Sequence, residues 1–169
     1  NNKSTFELKK SIALINGNQW LINPNNETDH FFEFYNLTKK FEINKFEASS
    51  GNEKINFSMS YLNNNDFDFQ FFADKVLIEQ LDLSNKSFQV KGILDLDLAY
   101  ERSTLNNNLN LDGNIYGLSL NDLKMGDLSF FTDGNTQSNS YDINLLLSDE
   151  ENETLVGNGK IIGINDKPN

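Results

Sequence analysis

Over residues 92–120, "GILDLDLAYERSTLNNNLNLDGNIYGLSL", leucine and isoleucine recur at every second position and aspartate and asparagine fill the gaps. A period of two sends alternate side chains to opposite faces of an extended chain, so the stretch has one oily face and one wet face. The pattern recurs elsewhere. Ile55, Phe57, Met59 and Tyr61 are interleaved with Asn56, Ser58 and Ser60, and Phe67, Phe69 and Phe71 with Asp66, Asp68 and Gln70. Leu94, Leu96, Leu98 and Tyr100 repeat it, then Leu109 with Leu111, then Tyr116, Leu118 and Leu120, then Leu128 with Phe130, then Ile143, Leu145 and Leu147. Half-buried strands in succession, at least eight of them, are the expectation. The best helix signal, "ADKVLIEQLDLSN" at 73–85, puts Val76, Leu77, Gln80 and Leu81 into two short turns, too little to cover a sheet.

A one-sided sheet without a helix layer must bury its apolar face against a second sheet, inside a closed barrel, on a partner, or on a ligand as apolar as itself. Asparagine marks the turns, in clusters at 23–29, 63–66, 103–108, 133–140 and 148–154, because Asx side chains bond nearby backbone and tolerate left-handed conformations. The two prolines, Pro24 and Pro168, and the glycines mark no domain boundary, so residues 1–169 read as one β-rich unit. Gly113 and Gly117 read as bends within continuing strands. Strand-turn-strand units recur roughly every 15 to 20 residues without a strict repeat.

The 14 Lys+Arg against 25 Asp+Glu give a net charge of -11, which excludes DNA and RNA as ligands and disfavours anionic membrane surfaces. Without cysteine there is neither a disulfide framework nor a thiolate metal site. The chain opens Asn1-Asn2-Lys3 with no apolar leader, and it is read as an internal segment of something longer.

Candidate chemistry is thin, and no catalytic residue, cofactor or metal site is expected. The single histidine, His30, lies near no nucleophile motif and reads as an exposed turn residue. Asp95 and Asp97 share a face opposite Leu94 and Leu96, as solvated strand residues do. Asn108, Asn110, Asp112, Gly113 and Ile115 imitate an EF-hand loop, but Asn108 replaces the leading Asp and Ser119 the bidentate Glu. Sequons at Asn2, Asn26, Asn36, Asn56, Asn85 and Asn152 support no glycosylation, since Asn56 falls in mid-strand. The run Asp149-Glu150-Glu151 reads as a solvated hairpin tip.

In order along the chain, "NGNQWLINPNN" (16–26), "FEINKFEASSGNEKINFSMSY" (41–61), "FDFQFFADKVLIEQLDL" (67–83), "FQVKGILDLDLAY" (88–100), "LNLDGNIYGLSLNDLKMGDLSFF" (109–131) and "YDINLLLSDEENETLVGNGKI" (141–161) resemble TamB-like members of the AsmA-like envelope superfamily, the translocation and assembly module proteins. The resemblance implies an inner-membrane-anchored periplasmic protein of a Gram-negative cell envelope. Its curved, mainly antiparallel sheet would form a taco-like hydrophobic groove (a β-taco) serving phospholipid transport and outer membrane biogenesis. It implies as partners phospholipid acyl chains, neighbouring segments of the same repetitive chain, and an outer-membrane barrel protein reached through regions outside this sequence. On that reading Phe57, Met59, Phe67, Phe69, Leu94, Leu96, Leu98, Leu109, Leu111, Leu118, Leu120, Phe130, Ile143, Leu145 and Leu147 line the lipid-contacting wall. The alternative is an extracellular β-sandwich that binds glycans or acts as an adhesin, with Trp20 as its candidate loop aromatic.

Overall fold

The computed structural model describes residues 3–63, 66–81, 88–103, 107–135, 140–149 and 152–162. Outside them lie the turn tips at 64–65, 104–106, 136–139 and 150–151, the end of the helical signal at 82–87, and the sequons at Asn2 and Asn85.

Twelve strands make one curved, open, antiparallel sheet. They are β1 (Lys3–Glu7), β2 (Ser11–Ile15), β3 (Asn18–Ile22), β4 (Phe31–Tyr35), β5 (Lys40–Ser50), β6 (Glu53–Asn63), β7 (Asp66–Leu77), β8 (Val90–Arg102), β9 (Asn107–Leu120), β10 (Leu123–Asn135), β11 (Ser140–Asp149) and β12 (Asn152–Ile162). From β4 to β12 neighbours in sequence are neighbours in space, and β1 pairs with β4. The Asn-rich turns behave as their chemistry dictates. Asn16 with Gly17, and Asn121 with Asp122, take positive φ at the two-residue turns of the β2–β3 and β9–β10 hairpins. A second sheet facing the first, as a sandwich requires, is absent among the described residues. The helical signal gives way to tertiary pairing: Ala73 to Leu77 finish β7, and only Ile78–Leu81 turns, as 3-10 helix. Among the described residues no helix is long and apolar enough to cross a membrane.

Curvature has a visible cause. Apart from shifts at Ile43/Phe46 in β5 and Tyr61/Asn63 in β6, register shifts fall at Ala73/Val76 in β7, in β9 opposite Lys91/Ile93, at Lys124/Gly126 and Gly126/Leu128 in the β9–β10 pair, and at Leu147/Ser148 in the β11–β12 pair. Because the strands alternate in direction, all of these lie toward the same end of the sheet. Each bulge adds a residue to one strand and bends it, so a row of bulges folds that rim. The backbone amides displaced by the bulges find carboxylates: Lys75 N–H donates to Asp95 Oδ1 and Gly117 N–H to Asp127 Oδ1, each at 2.7 Å. Asp95 is therefore more than the solvated strand residue its alternation indicated. Gly117, at φ +61, is the bend expected of it, whereas Gly113 is not. A Cβ on Gly113 would lie 2.4 Å from the Phe130 ring, so this glycine makes room for an aromatic.

The same rim carries the well-packed core. Hairpin β2–β3 joins the sheet only through Leu21↔Ser49 and Ile22↔Ala48, and Trp20 packs with Ala48, Ala73 and Val76, backed by Phe71, Leu81, Leu94 and Leu96. The 3-10 turn completes this cap. Glu53 accepts hydrogen bonds from Leu77 N–H at 3.0 Å and Gln80 Nε2 at 2.8 Å, while Asn16 Nδ2 donates to Gln80 O at 2.8 Å. Trp20, 1% exposed, is a core residue and not a loop aromatic offered to glycans.

Candidate functional site

Cross-strand partners share a face, so the register assembles the alternating residues into apolar rungs perpendicular to the strands. One rung runs Ala48, Ile55, Ala73, Leu96, Gly113, Phe130, Leu145, Gly157, one residue from each strand β5 to β12. A second runs Phe6, Phe32, Ile43, Met59, Phe69, Tyr100, Leu109. A third comprises Phe46, Phe57, Phe71, Leu98 and Leu111, its first two rings stacked at 4.6 Å between centroids. A fourth comprises Val76, Leu94, Ile115, Leu128, Leu147 and Leu155. At about 4.8 Å per strand, the rung from β5 to β12 spans roughly 34 Å.

This face is the more covered of the two. Residues adjacent in sequence, one on each face, differ in exposure: Phe72, Ile93, Tyr116 and Phe131 are 40–46% exposed, while Phe71, Leu94, Ile115 and Phe130 are half-buried. A flat uncovered sheet would treat its two faces alike. Here the Trp20 cap covers Phe71 and Leu94.

All of the residues read from the sequence as the wall fall on the apolar face, in two environments. Leu94 and Leu96 pack against the Trp20 cluster, and Leu118 and Leu147 are buried. These four support the rim, Leu118 and Leu147 buried and Leu94 and Leu96 half-buried against the Trp20 cluster. Phe57, Met59, Phe67, Phe69, Leu98, Leu109, Leu111, Leu120, Phe130 and Ile143 are half-buried, and Leu145 is 41% exposed. Alternation groups Tyr116 with Leu118 and Leu120. The bulge in β9 reverses that phase, so Ile115 joins the wall and Tyr116 faces out. Alternation does not reveal Phe6, Phe32 and Ile43, because β1 and β4 are only five residues long and β5 carries a register shift between Ile43 and Phe46.

The opposite face is polar and locally networked. Glu33 accepts hydrogen bonds from Lys3 Nζ at 2.5 Å, Tyr35 OH at 2.8 Å and Thr5 Oγ1 at 3.4 Å. The Lys3 ammonium, then the Tyr35 hydroxyl, hold the Glu33 carboxyl below its ordinary value, and Glu33 in return raises Lys3 and Tyr35. Asn108, Asn110 and Asp112 alternate along β9 and converge on no point, so the EF-hand likeness has no geometric counterpart. His30 contradicts its reading as an exposed turn residue. It is 1% exposed, because the 23–30 connection folds against β5: Asn23 N–H donates to Glu47 O at 2.9 Å, and Leu8 N–H to His30 O at 2.8 Å. No family model matches the chain, and neither does any curated protein or solved structure.

Proposed function

We propose that this chain is a non-catalytic segment of a lipid conduit, in which the apolar rungs form the surface along which phospholipid acyl chains move. The observation that carries the reading is the wall itself: apolar rungs crossing five to eight strands, covered among the described residues by Trp20 and its neighbours at one rim. Apolar area on this scale favours an apolar occupant, at about 25 cal/mol for each Å² taken from water. The described residues of the four rungs are all uncharged, so selection along them would act on the acyl chains and leave the head in solvent at the groove mouth. Roughly 34 Å of wall is comparable with the ~30 Å hydrocarbon core of a bilayer, so lipid tails find an apolar surface over their full length.

The setting comes from the resemblance to TamB-like proteins: a Gram-negative periplasm, transport of phospholipid between inner and outer membranes, and outer-membrane biogenesis. Open sheet edges at β1 and β12 suit a repetitive chain in which neighbouring segments extend the same wall. The glycan-binding reading loses its aromatic candidate with the burial of Trp20.

The test is native mass spectrometry of the chain purified from cells without detergent. Co-purified diacyl phospholipid, lost when Phe69 and Leu111 are both changed to Asp in a protein that stays folded, is the expected result. Absence of lipid, or lipid retained by the charged wall, contradicts the reading.

A further inference from the structure

The structure assigns a divalent transition-metal site, suited to Zn²⁺, to Glu27, His30 and Glu47 on the outside of β5, with Asp29 as the group that orients the imidazole. Candidate ligand atoms of the three residues lie within 4.8 Å of one another. His30 is the decisive member. Its Nδ1 is 3.0 Å from Asp29 Oδ1, and a carboxylate can only accept, so the ring hydrogen belongs on Nδ1. That leaves the Nε2 lone pair bare. Nε2 is buried, has no hydrogen-bond partner, and lies 3.9 Å from Glu47 Oε2, so two acceptors face each other. A buried acceptor left unmatched is costly, and a cation between the two resolves it. The pairing of a carboxylate with the far nitrogen of a ligating imidazole is the usual second layer of a zinc site.

Charge points the same way. Lys45 Nζ is 2.5 Å from Glu27 Oε2, 3.5 Å from Glu47 Oε2 and 3.8 Å from Asp29 Oδ2. Three carboxylates against one ammonium leave two formal negative charges, and three once the ammonium moves away, an excess that draws a cation. Lys45 is the internal competitor, and its partly exposed side chain can leave for solvent when metal enters. Ligand distances near 2.0–2.2 Å require Glu27 and Glu47 to close in by rotamer adjustment, with solvent completing the shell. The ion would then clasp the 23–30 connection, which carries two of the ligands, to β5, which carries the third.

The sequence makes the test unusually clean, since His30 is the only histidine and there is no cysteine. Zn²⁺ is titrated into the untagged full chain while the single imidazole is followed by NMR, with stoichiometry read by calorimetry. Saturable one-to-one binding that shifts the His30 resonances is expected. His30→Gln should abolish it, Asp29→Asn should weaken it about 10–100-fold, and Lys45→Met should tighten it. Weak, non-saturable binding, or binding that leaves the imidazole signals unmoved, overturns the assignment. That readout comes from the unmutated protein, so it stands even where a variant fails to fold.

Discussion

The Phe130 ring lies directly over Gly113 on the neighbouring strand, so close that a Cβ at position 113 would meet ring carbons at 2.4 and 2.5 Å. The pair occupies the middle of the longest rung, where a side chain on each residue would overfill the apolar face. Gly113→Ala should therefore destabilise the chain by about 1–3 kcal/mol, the usual cost of overpacking. Adding Phe130→Leu should return part of that loss. Urea denaturation of the four proteins of this double-mutant cycle measures the coupling, and additive losses would mean the ring moves aside freely.

The bulge row depends on its carboxylates. Asp127→Ala removes the acceptor of the Gly117 amide and Asp95→Ala that of the Lys75 amide, each expected to cost about 0.5–1.5 kcal/mol. Asp→Asn keeps an acceptor oxygen and should recover most of it. Hydrogen exchange at these two amides reads the effect locally, and unchanged protection in the alanine variants would show that the bulges hold without them.

The two environments of the wall separate under a charge. Leu96→Asp places a carboxylate beneath the Trp20 cluster, whose described members are all apolar, and should cost about 3–5 kcal/mol. Phe69→Asp sits on the open wall, where water reaches the new carboxylate, and should cost clearly less. Trp20 is the only tryptophan, so its fluorescence reports cap opening in Leu96→Asp and should stay unchanged in Phe69→Asp. Equal losses in both would argue for a dry core throughout.

Glu33 sets an acid dependence. Its folded-state carboxyl is held below the ordinary 4.5 by Lys3 and Tyr35, so its contribution is complete above 4.5 and is lost as pH falls through the depressed folded value. Glu33→Gln should be less stable than the parent at neutral pH, and the gap should close under acid below 4.5. A gap that stays constant down to strongly acidic pH would place the effect elsewhere.

Legibility in the sequence followed strand length and phase. In β6 to β9 the alternation of residues such as Phe57, Phe69 and Leu96 runs far enough to fix both the strand and its face, so the apolar wall could be read directly. It failed where one residue resets the phase, as at the β9 bulge that exchanges Ile115 for Tyr116, since alternation carries no signal for a bulge except a glycine such as Gly117. The five-residue strands β1 to β4 were too short to show a period. Burial of Trp20 and His30 arises from contacts far apart along the chain, Trp20 against Val76 and His30 against Glu47, which no local pattern encodes. The groove, unlike its residues, depends on what does not pack against the sheet, and no alternation records that.

The central claim is that apolar cargo occupies one face of the sheet. Leu145 and Phe131 lie on β11 and β10, are 41% and 46% exposed, and point to opposite faces. A photoactivatable amino acid at each, irradiated in the cell and followed by mass spectrometry of the adducts, compares the faces at matched exposure and hydrophobicity. Phospholipid captured at Leu145 and not at Phe131 is the result predicted here; equal capture at both, or capture at neither, would contradict it.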